Sequence, residues 1–218
     1  MHSTTDLAAA PQGYDGSGID GTALTDVVRT AHGAPAWLDG LVSAYSSYGL
    51  ILFAGLALLA WWRARGQDAQ QAVRALAVPV LTVAAFVGST VLKQGVRELR
   101  PCRSLHVVTL EACPAPGDWS FPSNHATLAA AAAVALWFVS VRLGVVASVA
   151  AVLMAASRVW VGAHYPHDVV AGLAVGALIT LALALPLSRR TRSLAEHFGR
   201  TPLRPLVAPD RRQVCLEA

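Results

Sequence analysis

Three short segments gather the residues that can handle a phosphate group. The first runs from Lys93 to Pro101, with cations at Lys93, Arg97 and Arg100. Spaced four and three apart, they would share one face of a helix, where they repel one another unless an anion sits among them. Pro101 would end that helix and leave Arg100 at its mouth. Taken alone, the cluster suits a basic rim against lipid headgroups equally well.

The second segment, Ser120-Phe-Pro-Ser-Asn-His125, runs straight into an alanine-rich apolar stretch. Ser123 or Asn124 is placed to cap a helix there, and the free N–H groups of such an end bind phosphate. His125 opens the helix and could donate a proton to a departing oxygen. The third segment runs from Ser157 to Asp168. Arg158 offers a planar fork for two phosphate oxygens. Pro166 fits the first turn of a helix, with His164 just before it. Asp168, four residues on, could hold one ring nitrogen of His164 and leave the other free to attack phosphorus. His167 reads as a bystander at the interface beside the site.

The combined pattern, K-x6-R-P, then P-S-x-H, then S-R-x5-H-x3-D, covers residues 93–168. It resembles the type 2 phosphatidic acid phosphatase superfamily, which includes membrane lipid phosphatases, glucose-6-phosphatase and the vanadium haloperoxidases. The resemblance implies that Lys93, Arg100 and Arg158 bind phosphate, with Ser123 and the backbone N–H of Asn124. It implies that His164 is the nucleophile, that Asp168 orients it, and that His125 protonates the leaving group. No metal and no cofactor are implied, since guanidinium groups and a helix end stabilise the charge. Asn124 stands where the commonest form of the second motif has glycine. The frame S-F-P-S-x-H-A-T is most similar to the bacterial undecaprenyl-diphosphatases of the bacitracin-resistance type.

The elements that must position these residues read as membrane helices. The chain of 218 residues is 55% hydrophobic and 14% charged, with a mean hydropathy of +0.49. Five apolar stretches, at about residues 41–62, 73–92, 126–142, 144–161 and 168–187, approach the ~20 residues that cross a bilayer. Arg142 and Gly144 are expected to mark the turn between the third and fourth. Trp61 and Trp62 close the first stretch, where amphipathic rings favour the interface. Upstream, Ile19, Ala23, Leu24, Val27, Val28 and Ala31 recur at helical spacing. That segment is either a helix on the membrane surface or an amphipathic helix packed on the rest of the protein. The expected fold is therefore all-α, a polytopic helical bundle of about five transmembrane helices with an N-terminal interfacial helix. Its expected divisions are an N-terminal extracytoplasmic segment at 1–40, a transmembrane phosphatase domain at 41–187 and a basic cytoplasmic tail at 188–218.

Orientation follows from the arginines. Arg63, Arg65, Arg74, Arg142 and the tail fall on one side of five spans, which the positive-inside rule makes cytoplasmic. The loops 93–124 and 157–167 then face outward, in a plasma membrane, and carry Lys93, Arg97, Arg100, Arg103 and Arg158 against that rule. A bound phosphate explains these cations. No basic segment followed by an apolar core opens the chain, so no cleavable signal peptide is expected. Cys102 and Cys113 flank a loop on the outward side; they are either a disulfide or two free thiols. Aromatic and basic residues do not interleave, which argues against a nucleic-acid partner.

The expected activity is hydrolysis of undecaprenyl or related polyprenyl diphosphate, with membrane lipids as surroundings. Other lipid phosphates are the alternative: phosphatidic acid, phosphatidylglycerophosphate, diacylglycerol pyrophosphate or a polyprenyl phosphosugar. A non-catalytic protein that binds anionic lipids would need only the cations, and leaves His125, His164 and Asp168 without a purpose.

Overall fold

The computed structural model describes residues 13–207 and is helical, with no strand among the described residues. Helices α1 (Ser17–His32), α2 (Ala36–Tyr48), α3 (Leu50–Arg65) and α4 (Ala69–Val96) come first. After the short α5 (Pro101–Ser104) follow α6 (Asn124–Trp137), α7 (Val141–Trp160), α8 (Pro166–Gly199) and the short α9 (Arg204–Val207). Cys215 and the first residues lie outside the described range.

The apolar stretches read from sequence all become helix, but they are not equal. Helices α4, α7 and α8 are each long and apolar enough to cross a membrane. The stretch at 41–62 is α2 and α3, bent by 55° at Gly49, and together they pass the same test. The alanine-rich α6 has 14 residues, about 21 Å of rise, which is short of a hydrocarbon core of about 30 Å. It makes up for length by enclosure: Ala126, Ala129 to Ala133, Ala135 and Leu136 are all buried, against α3, α4, α7 and α8. Alanine suits this, because small side chains let helix backbones approach closely where lipid gives no hydrophobic drive.

The turn between α6 and α7 falls at residues 138–140, not at Arg142 and Gly144 as expected. Both of those lie inside α7. Gly144 is there for space, since a Cβ would press into the indole of Trp137. A second close approach governs the site. Gly172 and Gly176 of α8, four residues apart, face the backbone carbonyls of Ser123 and Thr127 of the α6 start. A side chain at either would push α8 off α6.

The first basic segment also departs from expectation. Lys93, Arg97 and Arg100 do not share a helix face: α4 ends at Val96, and Arg97 takes a left-handed backbone with φ 56°. Its carbonyl accepts from Tyr14 N at 3.0 Å, and Leu99 N donates to Tyr14 O at 2.8 Å. This bridge draws 97–99 out of helix, leaving Arg97 exposed and Lys93 and Arg100 buried. Pro101 starts α5 instead of ending α4. Helix α1 buries Leu24, Val28 and Ala31 and packs on α5, α7 and α8. Helix α8 runs without a break through the boundary expected at 187.

Candidate active site

The site is assembled at the start of α6, the end of α7 and the start of α8, with the segment 93–120 folded over them. Below it, Leu24, Val28, Ala126, Ala155, Val159, Tyr165 and Val169 form one apolar cluster drawn from α1, α6, α7 and α8.

Two turns hold the motifs together. Ser123 caps α6 through its backbone, and its N–H donates to Asp168 O at 3.0 Å. Asp168, fully buried at the third position of α8, accepts from Tyr165 N at 2.9 Å through Oδ2. The same oxygen accepts from Ser120 Oγ and lies 3.4 Å from His164 Nδ1. Ser120 Oγ is itself 3.4 Å from that nitrogen. Ser120 therefore bonds the carboxylate and lies as near to the imidazole as the carboxylate does, a part that sequence reading did not assign to it.

The far side of the ring decides its protonation. Arg100 Nη1 lies 3.0 Å from His164 Nε2 and also donates to Ala163 O. A guanidinium carries donors only, so Nε2 must be the acceptor and the ring proton sits on Nδ1, facing Asp168. Burial pushes the His164 imidazole well below the ordinary histidine range, and Arg100, Arg158, Lys93 and His125 push it the same way. His164 is thus a neutral base with its lone pair toward a cation.

The cations are buried and partnered. Lys93 Nζ donates to Trp119 O at 2.7 Å and Ser120 O at 3.3 Å, leaving one of its three donors uncommitted. Arg100 Nε donates to Asp118 O, and Nη2 pairs with Asp118 Oδ1 at 2.9 Å. Arg158 Nη1 contacts Ser46 Oγ and both oxygens of Glu111, at 3.0 and 3.1 Å. Arg158 Nε and Ser123 Oγ are buried with no partner among the described residues. A phosphate oxygen would satisfy either donor, and a buried donor left without one is costly.

Asn124 is used differently from its neighbours: its Oδ1 accepts from Ser89 Oγ of α4 at 2.8 Å. The amide side chain thus ties α6 to α4, while its backbone belongs to the first turn of α6. His125 is half-buried on the same turn.

His167 is no bystander. Its Nδ1 lies 2.8 Å from Asp20 Oδ1 and its Nε2 2.9 Å from Glu98 Oε1, and its N–H donates to Asp20 Oδ2. Asp20 leaves helical geometry inside α1 to make these contacts. Glu98, His167 and Asp168 bring donor atoms within 4.8 Å of one another, the type of set a metal could use. Both ring nitrogens are already taken by carboxylates, as in an imidazolium, so the cluster stands as an ion-paired clasp. It fastens α1 and the 97–99 bridge to the start of α8.

A family model described as the PAP2 superfamily matches residues 72–192. The chain belongs to the PAP2 superfamily. Among relatives of this PAP2 chain is a Bacillus subtilis strain 168 protein named undecaprenyl-diphosphatase BcrC. It is 31% identical over 157 residues, 71% of this chain and 79% of its own. A Mycolicibacterium smegmatis protein named decaprenylphosphoryl-5-phosphoribose phosphatase is 36% identical over 169 residues, 76% of this chain and 84% of its own. The PAP2 fold is matched by the crystal structure of a transmembrane PAP2-type phosphatidylglycerolphosphate phosphatase from Bacillus subtilis. The TM-score is 0.52 at 20% identity, over 83% of this chain and 88% of that one. The protein is accordingly a membrane lipid phosphatase of the PAP2 family.

Proposed function

We propose that the chain hydrolyses undecaprenyl diphosphate, or a related polyprenyl diphosphate, to the monophosphate and inorganic phosphate through a phosphohistidine on His164. The observation that carries this reading is the pairing of His164 Nε2 with Arg100 Nη1 at 3.0 Å. It sets an unprotonated ring nitrogen beside a group that binds phosphate oxygens.

The terminal phosphate enters between Lys93, Arg100 and Arg158, with Ser123 and the first N–H groups of α6 as further donors. Arg100 Nη1 turns from His164 Nε2 to a phosphate oxygen, the freed Nε2 attacks phosphorus, and the bond to the bridging oxygen breaks. Burial and the cations around it hold the free His125 ring down to about 4; the bound phosphate offsets those cations, so His125 takes up a proton and gives it to that oxygen as the lipid monophosphate leaves. Asp168, with Ser120, keeps the Nδ1 proton in place and stabilises the cationic ring as it forms. Water, with His125 now as base, then cleaves the phosphorus–nitrogen bond and releases orthophosphate. Buried guanidinium groups neutralise the developing charge, so no metal is required.

The outward face suits this substrate. The arginine asymmetry of the cytoplasmic loops supports it, as does the bonded pair Cys102–Cys113 in the loop over the site, since disulfides persist in oxidising compartments.

The second reading keeps the chemistry and changes the lipid to a polyprenyl phosphosugar, in line with the name of the Mycolicibacterium relative. The experiment is a comparison of kcat/KM, for protein purified in detergent and treated with EDTA, over undecaprenyl diphosphate, a decaprenyl phosphosugar and phosphatidic acid. Undecaprenyl diphosphate is expected to lead. If it releases no phosphate while another lipid does, the substrate is wrong. Loss of all activity with EDTA would sink the metal-free mechanism.

A further inference from the structure

The two oxygens of Asp168 keep different company. Oδ2 takes the hydrogen bonds, from Tyr165 N and Ser120 Oγ, and lies 3.4 Å from His164 Nδ1. Oδ1 is buried with no hydrogen-bond partner among the described residues. The group that faces it is His167 Nε2, 3.6 Å away. A fully buried carboxylate left by itself neutralises by taking up a proton.

A second carboxylate raises the stakes. Glu98 Oε1 and Oε2 lie 2.9 and 3.2 Å from that same His167 nitrogen, and the Glu98 side chain is 2% exposed. Donor atoms of Glu98, His167 and Asp168 fall within 4.8 Å of one another. Two buried carboxylates so close cannot both ionise unless a cation stands between them. The His167 ring is that cation, because Asp20 of α1 accepts at its other nitrogen, 2.8 Å away. The other charged groups that bear on Asp168 are Lys93 at the end of α4 and the His164 ring once it becomes a cation.

We propose that His167 is a positioning residue for the reaction. As the imidazolium between Glu98 and Asp168 it keeps Asp168 ionised, and the ionised Asp168 holds the Nδ1 proton of His164. The inference rests on the reading of Asp168 as the group that orients His164. A protonated Asp168 would be a weaker acceptor for that proton and would not stabilise the ring as it gains charge. The clasp thus ties α1 to the site and also supplies a charge that the orienting carboxylate needs.

The test is the pH dependence of kcat between pH 5 and pH 9 for the full chain in detergent, with undecaprenyl diphosphate and, in parallel, phosphatidic acid as substrates. In His167→Gln, kcat at pH 9 is expected within a few-fold of wild type. Its acid limb is expected to move up by about one pH unit or more, with KM little changed. Adding Glu98→Gln to that variant removes the repelling carboxylate, and the limb is expected to return toward the wild-type position. A role confined to fastening α1 gives the opposite result: the limb stays in place and the double variant loses more activity than the single one. Either of those outcomes overturns the proposal. If His167→Gln does not fold, Glu98→Gln alone decides. It is expected to carry the limb below the wild-type position, and an unmoved limb overturns the proposal there too. Asp168→Asn is the control. Wild-type kcat in that variant would refute the orienting role of Asp168 and take this inference with it, whereas a large loss beside unmoved limbs refutes the role of His167 alone.

Discussion

Arg100 Nη1 and His164 Nε2, 3.0 Å apart, join the first motif of the chain to the third across 64 residues. The contact settles the tautomer of the ring without a hydrogen being seen, because arginine cannot accept. The Tyr14 bridge takes Arg100 off the helix face it would share with Lys93 and Arg97, and the contact with His164 is where its side chain goes instead.

Replacing Arg100 by lysine keeps the charge and loses the fork. Lysine cannot reach His164, Ala163 and Asp118 together, so kcat/KM is expected to fall by about 10²- to 10³-fold. A steady-state assay against polyprenyl diphosphate checks this, and near-wild-type turnover would mean that only charge matters here.

Asp168 and Ser120 form a graded pair. Asp168→Asn should lower kcat by roughly 10²- to 10⁴-fold, as expected when the ring loses its orienting base. Ser120→Ala removes one hydrogen bond, about 1 kcal/mol, and should lower kcat by about fivefold. KM is expected to hold in both. Equal losses for the two variants would mean that the serine, and not the carboxylate, orients the ring.

The depressed value of His164 has a pH signature. The unfolded chain takes up a proton near the ordinary value of 6.5, whereas the buried ring does not. Below that pH the unfolded state binds more protons, so stability falls as pH drops through 6.5 toward the folded value. His164→Ala removes this contribution, and its Tm is expected to decline less steeply between pH 7 and pH 5. Parallel Tm profiles for the two proteins would refute the assignment.

Gly176 tests the close crossing of α8 over α6. A leucine there would meet the carbonyl of Thr127, an overpacking that costs about 1–3 kcal/mol. Thermal unfolding in detergent should show the loss. Turnover should fall too, because the same crossing sets Asp168 against Ser123. A stable but inactive variant would fit equally, whereas full activity would not.

The clasp makes a milder prediction. His167→Gln cannot carry the charge that pairs with Asp20 and Glu98, so α1 should loosen from the site. Hydrogen exchange at residues 17–32 is expected to rise, with kcat lowered only a few-fold. Unaltered exchange in α1 would show that its apolar face alone holds it.

Much of the fold was legible because composition and period speak directly. A run of apolar residues long enough for a bilayer becomes helix in lipid whatever its neighbours are, since backbone groups must pair within the segment. Ends of elements were less legible. Gly144 read as a turn because glycine breaks helices, yet its use is to admit Trp137. Arg97 read as helical because periodicity continued, yet Tyr14, more than eighty residues earlier, captured its carbonyl.

The sequence by itself determined the helical, apolar character of the chain and the order of its motifs, because those depend on residue type and local spacing. Only the tertiary structure decided which partner each of them has. That Arg158 meets Glu111, that Ser120 bonds Asp168 beside His164, and that His167 clasps Asp20 and Glu98 are contacts between distant segments. Such contacts arise from how helices pack, and local spacing carries no record of them.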